Sequence, residues 1–280
     1  MTQLDLGFSP CPNDTFIFHA LVHGMVDADG LSFRPRLEDV ETLNRLALTG
    51  SLHVTKVSFG VLPYLLDEYV LLRSGGALGR GCGPLIVTRS GGNVSLRDSR
   101  IAIPGRFTTA NLLLRLYDPE IPEGVELPYH QIMPAVADGL VDAGVIIHES
   151  RFTYADHGLR QQVDLGEWWE QTTGSPIPLG AIVARRDLGS GIAEVEGAIR
   201  ASVEYALRDP RASAAYVRTH AQEMSEDVTR KHIDLYVNEY SVDLGSRGEA
   251  AVRELIHRAQ AAGLIPSPPM DPLAGTSTRM

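Results

Sequence analysis

Through its first half the chain alternates short apolar runs with segments whose apolar residues recur at helical spacing, and this alternation restricts the fold more than any other feature. Strands are predicted at Leu4 to Phe8, Leu31 to Arg36, His53 to Val57, Val70 to Leu72 and Leu85 to Thr88. Helices are predicted at Asp14 to Val22, Asp39 to Leu48 and around Val61 to Leu66. Strands separated by helices pair in parallel through right-handed crossovers, and such sheets carry ligands at the carboxyl ends of their strands. A polar break, Arg89-Ser90-Gly91-Gly92-Asn93, precedes a second, smaller alternation. Its strands are Arg100 to Ile103, Val125 to Leu127 and Ala143 to Ile147, and its helices Thr109 to Leu116 and Gln131 to Asp138. After the loop-rich Thr172 to Pro178, one strand, Leu179 to Ala184, leads into an almost wholly helical remainder at 192–208, 210–219, 226–240 and 248–262. The expected fold is α/β with two lobes, a larger discontinuous one from 1–89 plus 179–280 and a smaller one from 90–178, with a cleft at the hinge between them. One continuous doubly wound sheet with a helical C-terminal cap is the other arrangement the pattern allows.

Composition removes several function classes. A chain of 280 residues, 44% hydrophobic and 21% charged, is globular in character, and no run approaches the length of a membrane span. The first residues lack the basic region and apolar core of a secretory signal, so a cytoplasmic location is expected. A formal charge of −10 without a basic stripe argues against nucleic-acid binding. Cys11 and Cys82 form no CxxC or Cys/His spacing, and HExxH and DxDxDG patterns are missing, so neither a disulfide framework nor a metal site is expected. The glycine-dense 74–83 fits neither GxGxxG nor GxxxxGK[ST], and no GxSxG occurs. A hinge or a close backbone contact explains those glycines better than a cofactor does. Lysine occurs only as Lys56 and Lys231, which makes Lys56 stand out.

Several strand ends and helix starts are candidates to line the cleft. Ser9-Pro10-Cys11-Pro12-Asn13-Asp14-Thr15 hands a strand to a helix through a turn stiffened by two prolines, and puts short polar side chains where helix N–H groups are unpaired. It reads either as a binding turn or as an ordinary loop capped by Asn13 or Asp14. Thr55-Lys56-Val57-Ser58 places a cation and two hydroxyls at the end of an apolar strand, where a solvated charge is the plainer account. Pro104-Gly105-Arg106-Phe107-Thr108-Thr109-Ala110 delivers two threonines to a helix start, suited to a carboxylate or simply to capping. In Gly144-Val145-Ile146-Ile147-His148-Glu149-Ser150-Arg151 an apolar strand ends in an imidazole beside a carboxylate placed to orient it. Histidine is the side chain matched to proton transfer near neutral pH, although a lone histidine also suits a half-buried structural role. His19, His23 and His220 lie within predicted helices and keep that plainer reading.

Taken in order, Ser9 to Phe16, Glu38 to Asn44, Arg73 to Gly81, Pro104-Gly105-Arg106 and Ile146 to Tyr154 resemble the 1,4-dihydroxy-6-naphthoate synthase family of the futalosine route to menaquinone. The likeness runs to at least Tyr240. It implies a two-lobed fold like that of type II periplasmic binding proteins. It also implies a lyase without cofactor or metal that turns cyclic dehypoxanthinyl futalosine into 1,4-dihydroxy-6-naphthoate and dihydroxyacetone. By the same resemblance His148 is the base, while Lys56, Val57 and Ser58 from the strand end and Thr109 and Ala110 from the helix start contact a small anionic substrate. Asn13 and Asp14 close that pocket. Phe107 is at odds with a polar ligand site. The alternatives are a chorismate dehydratase of the same pathway and fold, and a non-catalytic solute-binding protein. The Ile-Ile-His-Glu-Ser block favours the lyase, and the lack of a signal peptide weighs against the binder. A homodimer through the helical C-terminal region is also open.

Overall fold

The computed structural model describes residues 2–91, 94–221, 225–268 and 270–273. Gly92 and Asn93 of the polar break and part of the Pro-rich tail lie outside the described residues. The chain opens with β1 (Thr2–Phe8), α1 (Pro12–Val22), β2 (Leu31–Leu37), α2 (Val40–Leu48), β3 (Val54–Ser58), β4 (Tyr69–Leu71) and β5 (Ala77–Gly79). It continues through β6 (Leu85–Arg89), β7 (Ile101–Ile103), α3 (Thr109–Tyr117), β8 (Val125–Glu126), α4 (Tyr129–Ala137) and β9 (Ala143–Ile146). Next come α5 (Ser150–Thr153), β10 (Leu159–Asp164), α6 (Leu165–Thr173) and β11 (Ile177–Arg185). The helices α7 (Gly191–Arg208), α8 (Ala214–His220), α9 (Glu226–Tyr236), α10 (Glu239–Val242) and α11 (Gly245–Ala261) complete it.

Two separate sheets result, in the orders β2-β1-β3-β11-β4, with β5 also on β11, and β10-β6-β9-β7-β8. The arrangement as a single continuous sheet is thereby set aside. Parallel pairing holds where helices intervene, between β1 and β2, β1 and β3, β7 and β8, and β7 and β9. The strands that return from the other lobe run against their neighbours: β11 is antiparallel to β3, β4 and β5, and β6 to β9 and β10. Although β6 precedes the polar break, it pairs in the second sheet, because a strand's partners and not its place in the chain decide its sheet.

The cores follow from the apolar pattern. β3 lies between β1 and β11, and all five of its residues are buried. Leu6 and Phe8 of β1, Phe16 and Ile17 of α1, and Ile199 and Val203 of α7 pack into one cluster behind the first sheet. The run Val61 to Leu66 forms only a short 3-10 turn, Leu62–Tyr64, since Pro63 removes an N–H and the apolar residues are buried without an outward polar face. β10 escaped the sequence pattern because its Arg160-Gln161-Gln162 is polar and its register shifts between Gln161 and Val163, as edge strands permit.

The glycine-rich 74–83 contains strand β5, and Gly83 makes a close backbone contact: a Cβ there would sit 2.3 Å from Gly166 Cα at the start of α6. Gly197, inside α7, has nothing within 4 Å of its Cβ position. Gly83→Ala is therefore expected to destabilise the fold by about 1–3 kcal/mol through overpacking. By contrast, Gly197→Ala is expected to stabilise it by about 0.5–1 kcal/mol through helix propensity. Urea unfolding midpoints of the two variants measure both, and the same sign for the two would contradict this packing account.

Candidate active site

At the carboxyl end of β1 the chain turns directly into α1. Cys11 takes the N-cap position with extended backbone (φ −63°, ψ 150°) and Pro12 the first helical position, where its missing N–H costs nothing. Asn13 and Asp14 are thus inside the first turn, and neither serves as the cap. The Asp14 carboxylate gathers four donors: Ser9 N–H at 3.1 Å, Ser9 Oγ at 2.8 Å, Asn13 Nδ2 at 2.8 Å and Lys56 Nζ at 2.9 Å. Lys56 also donates to the Gly75 carbonyl at 3.2 Å, and its side chain is 6% exposed. Its charge is matched within the wall of the cleft and does not stand free in it.

β3 alternates across its two faces, so Lys56 and Ser58 share different surroundings from Val57. Val57 is fully buried in the core and does not line the cleft. Ser58 is fixed by Asn44, which accepts from Ser58 N–H at 2.8 Å and donates to Ser58 Oγ at 3.2 Å. That leaves the hydroxyl proton of Ser58 available to a ligand. Asn44 is in turn held by Glu41 Oε2 at 3.2 Å, the same oxygen that accepts the N–H of Phe107 from the other lobe at 3.2 Å. Phe107 faces away from the cleft, edge-on to Tyr64, which removes the conflict of an apolar ring beside a polar pocket.

α3 presents its amino end to the same space. Thr108 is the N-cap, its side chain accepting from Asn111 N–H, while the first N–H groups, those of Thr109 and Ala110, are claimed by no partner among the described residues. Thr109 Oγ1 donates to the Leu179 carbonyl at 2.7 Å and accepts from Gly60 N–H at 3.2 Å. One hydroxyl therefore ties α3 to β11 and to the turn that follows β3.

His148 follows β9 with φ of 58°, a left-handed conformation uncommon outside glycine and typical of residues held for a purpose. Its half-buried ring packs against Tyr129, with centroids 5.2 Å apart, and among the described residues neither nitrogen is spent on a hydrogen bond. Desolvation lowers its pKa from the ordinary histidine value, partly opposed by Glu149 and Asp14. Glu149 does not orient it, contrary to the sequence expectation: its carboxylate turns to the Tyr129 hydroxyl at 3.5 Å.

Asn13, Asp14, Lys56, Ser58, Thr109, Ala110 and His148 all line one cavity. Cys11 Sγ, a His148 nitrogen and a Glu149 oxygen lie within 4.8 Å of one another, the one such grouping among the described residues. Burial, and then Glu149, push the Cys11 thiol well up.

The family described as "Menaquinone biosynthesis" matches residues 4–261. The chain belongs to this family. Two relatives carry the name 1,4-dihydroxy-6-naphtoate synthase. That of Thermus thermophilus is 56% identical over 270 residues, covering 96% of this chain and 98% of its own length. That of Streptomyces coelicolor is 51% identical over 281 residues, covering 97% and 98%. Among solved structures, the alkanesulfonate-binding protein of Xanthomonas axonopodis superposes with a TM-score of 0.70 at 18% identity over 95% of each chain. The fold is thus that of the periplasmic binding proteins, two α/β lobes with a helical C-terminal region. In this menaquinone-biosynthesis protein, sequence reasoning missed Glu41, Asn44 and Tyr129 as supports of the site, because each acts through a partner far along the chain.

Breaking a buried ion pair strands the remaining charge. Lys56→Met, which leaves Asp14 with three donors, is expected to cost about 3–5 kcal/mol of stability. Urea denaturation measures it, and an unchanged midpoint would show that the Lys56–Asp14 pair does not hold the cleft wall.

Proposed function

We propose that the chain is a carbon–carbon lyase that converts cyclic dehypoxanthinyl futalosine into 1,4-dihydroxy-6-naphthoate and dihydroxyacetone. Family membership and two close relatives named for that product support the reading. The observation that carries it in the site is a histidine with both ring nitrogens uncommitted among the described residues, at a strand end in the cleft, opposite an unfilled helix start.

The residues supply what such a fragmentation needs. Neutral His148 accepts a hydroxyl or carbon-bound proton from the substrate. The electrons released break the neighbouring C–C bond in a retro-aldol manner, and later proton transfers aromatise the naphthalene ring, which makes release one-way. The Ser58 hydroxyl and the N–H groups at the start of α3 receive the anionic carboxylate. Asn13 and Asp14 shape the pocket wall with Lys56. Closure of the lobes excludes water from the reacting centre. The steps are redox-neutral, so the proposal asks for no cofactor. It places the enzyme in the cytoplasm, consistent with the finding that no helix among the described residues is long and apolar enough to cross a membrane.

Incubating the purified protein with the cyclic futalosine derivative, chelator present, and weighing the products by mass spectrometry tests this directly. Formation of the naphthoate is expected, and an enolpyruvyl benzoate product from chorismate in its place would overturn the reading. His148→Asn is expected to lower kcat by about 10²–10⁴-fold with the fold intact. Because His148 works as the neutral base and its pKa is lowered below 6.5, kcat/KM should fall only as pH drops through a value below 6.5. An acid limb centred above 6.5 would contradict the assignment.

A further inference from the structure

The proposed mechanism leaves unused one histidine that the sequence did not mark. His232, on α9, is fully buried, and α9 packs on α1 and β5 of the first lobe. Its Nε2 lies 2.9 Å from Asn13 Oδ1. The direction of that bond is set from Lys56, which can only donate. Lys56 Nζ and Asn13 Nδ2 both donate to Asp14 Oδ1, so Asn13 turns its carbonyl oxygen toward His232, and the ring proton must sit on Nε2. Nδ1 then presents a lone pair. It has no hydrogen-bond partner among the described residues, and 3.7 Å away lies Glu149 Oε2, buried and equally without one.

The face of the same ring rests on the proposed base. His148 and His232 are stacked, with centroids 5.9 Å apart and planes 15° from parallel, and Tyr236 backs His232 at 4.7 Å. With Tyr129 edge-on to His148, four rings make successive contacts, two from the second lobe and two from α9. Since no hydrogen bond orients His148, this stack is what aims it.

We propose that His232 is a positioning residue for His148, holding the plane of the base by stacking while its two nitrogens tie Asn13 of one lobe to Glu149 of the other. The inference rests on the lyase reading for its kinetic consequences. Orphaned buried polar atoms call for a partner; because Nδ1 can only accept, the donor is the Glu149 carboxyl in its protonated form, which takes its proton from solvent and donates it to Nδ1 once the lobes approach by about 1 Å. Closure of the cleft and aiming of the base are then one event.

Two variants and one spectrum test it. His232→Gln keeps a donor for Asn13 but loses the ring face, and is expected to lower kcat on the order of 10²-fold while KM stays within about threefold. His232→Phe restores the face and is expected to recover about tenfold or more of that loss. A kcat for His232→Gln within about twofold of wild type, or a Phe variant no better than Gln, would overturn the proposal. Nitrogen-15 NMR of histidine-labelled wild-type protein reads the tautomer without substrate. A proton on Nε2 of His232 is expected, and a proton on Nδ1 alone would overturn the argument. If wild type fails to cleave the futalosine derivative, the lyase reading fails, while the tautomer and the displacement of the His148 ring signals in His232→Gln still decide the positioning role. Unmoved ring signals would count against it.

Discussion

The buried contact between Lys56 and Asp14 organises the wall of the cleft built from β1, α1 and β3. A pair of this kind adds little net stability over apolar residues of the same shape, because desolvation offsets the attraction. What it does supply is direction. An ammonium accepts nothing, so Asp14 must accept, and Asn13 is left with its carbonyl oxygen pointing at α9. The turn after β1, the middle of β3 and a helix from the far end of the chain are thereby locked in one polarity. The cation that stood out in a lysine-poor sequence serves as an anchor for acceptors in the cavity wall.

The second constraint is the hinge. Glu41 and Thr109 each bridge the lobes through backbone groups, Glu41 to Phe107 N–H and Thr109 to the Leu179 carbonyl and Gly60 N–H. Burial lifts the Glu41 carboxyl to about 7, against the pull of Asn44 and Arg45. Asn44 passes the same contact on to Ser58, so the residue proposed to receive the substrate carboxylate is connected to the place where the lobes meet. Two lobes that meet over the cavity suit the proposed reaction, which calls for water to be excluded.

Much of this was legible in the sequence wherever chemistry and secondary structure coincide locally. The alternation of strands and helices gave the two-lobed class, and the residues at strand ends and helix starts gave seven of the eight candidate positions that line the cavity. Val57 went astray because a strand reverses its face at every residue, and its neighbours' chemistry does not carry over to it. β5 was hidden among glycines, and β10 among polar residues at a sheet edge. The orientation of Glu149 and the placement of His232 depend on contacts between residues far apart in the chain, and no periodicity or spacing encodes those.

The account turns on whether the substrate meets His148 inside the cleft. A crystal structure of the His148→Asn variant with the cyclic futalosine derivative bound measures this most directly. The account expects the carboxylate against Ser58 and the start of α3, and the atom that bears the reacting proton about 2.6–3.2 Å from the side chain at position 148. A ligand seated with that side chain beyond the reach of even one bridging water would contradict it.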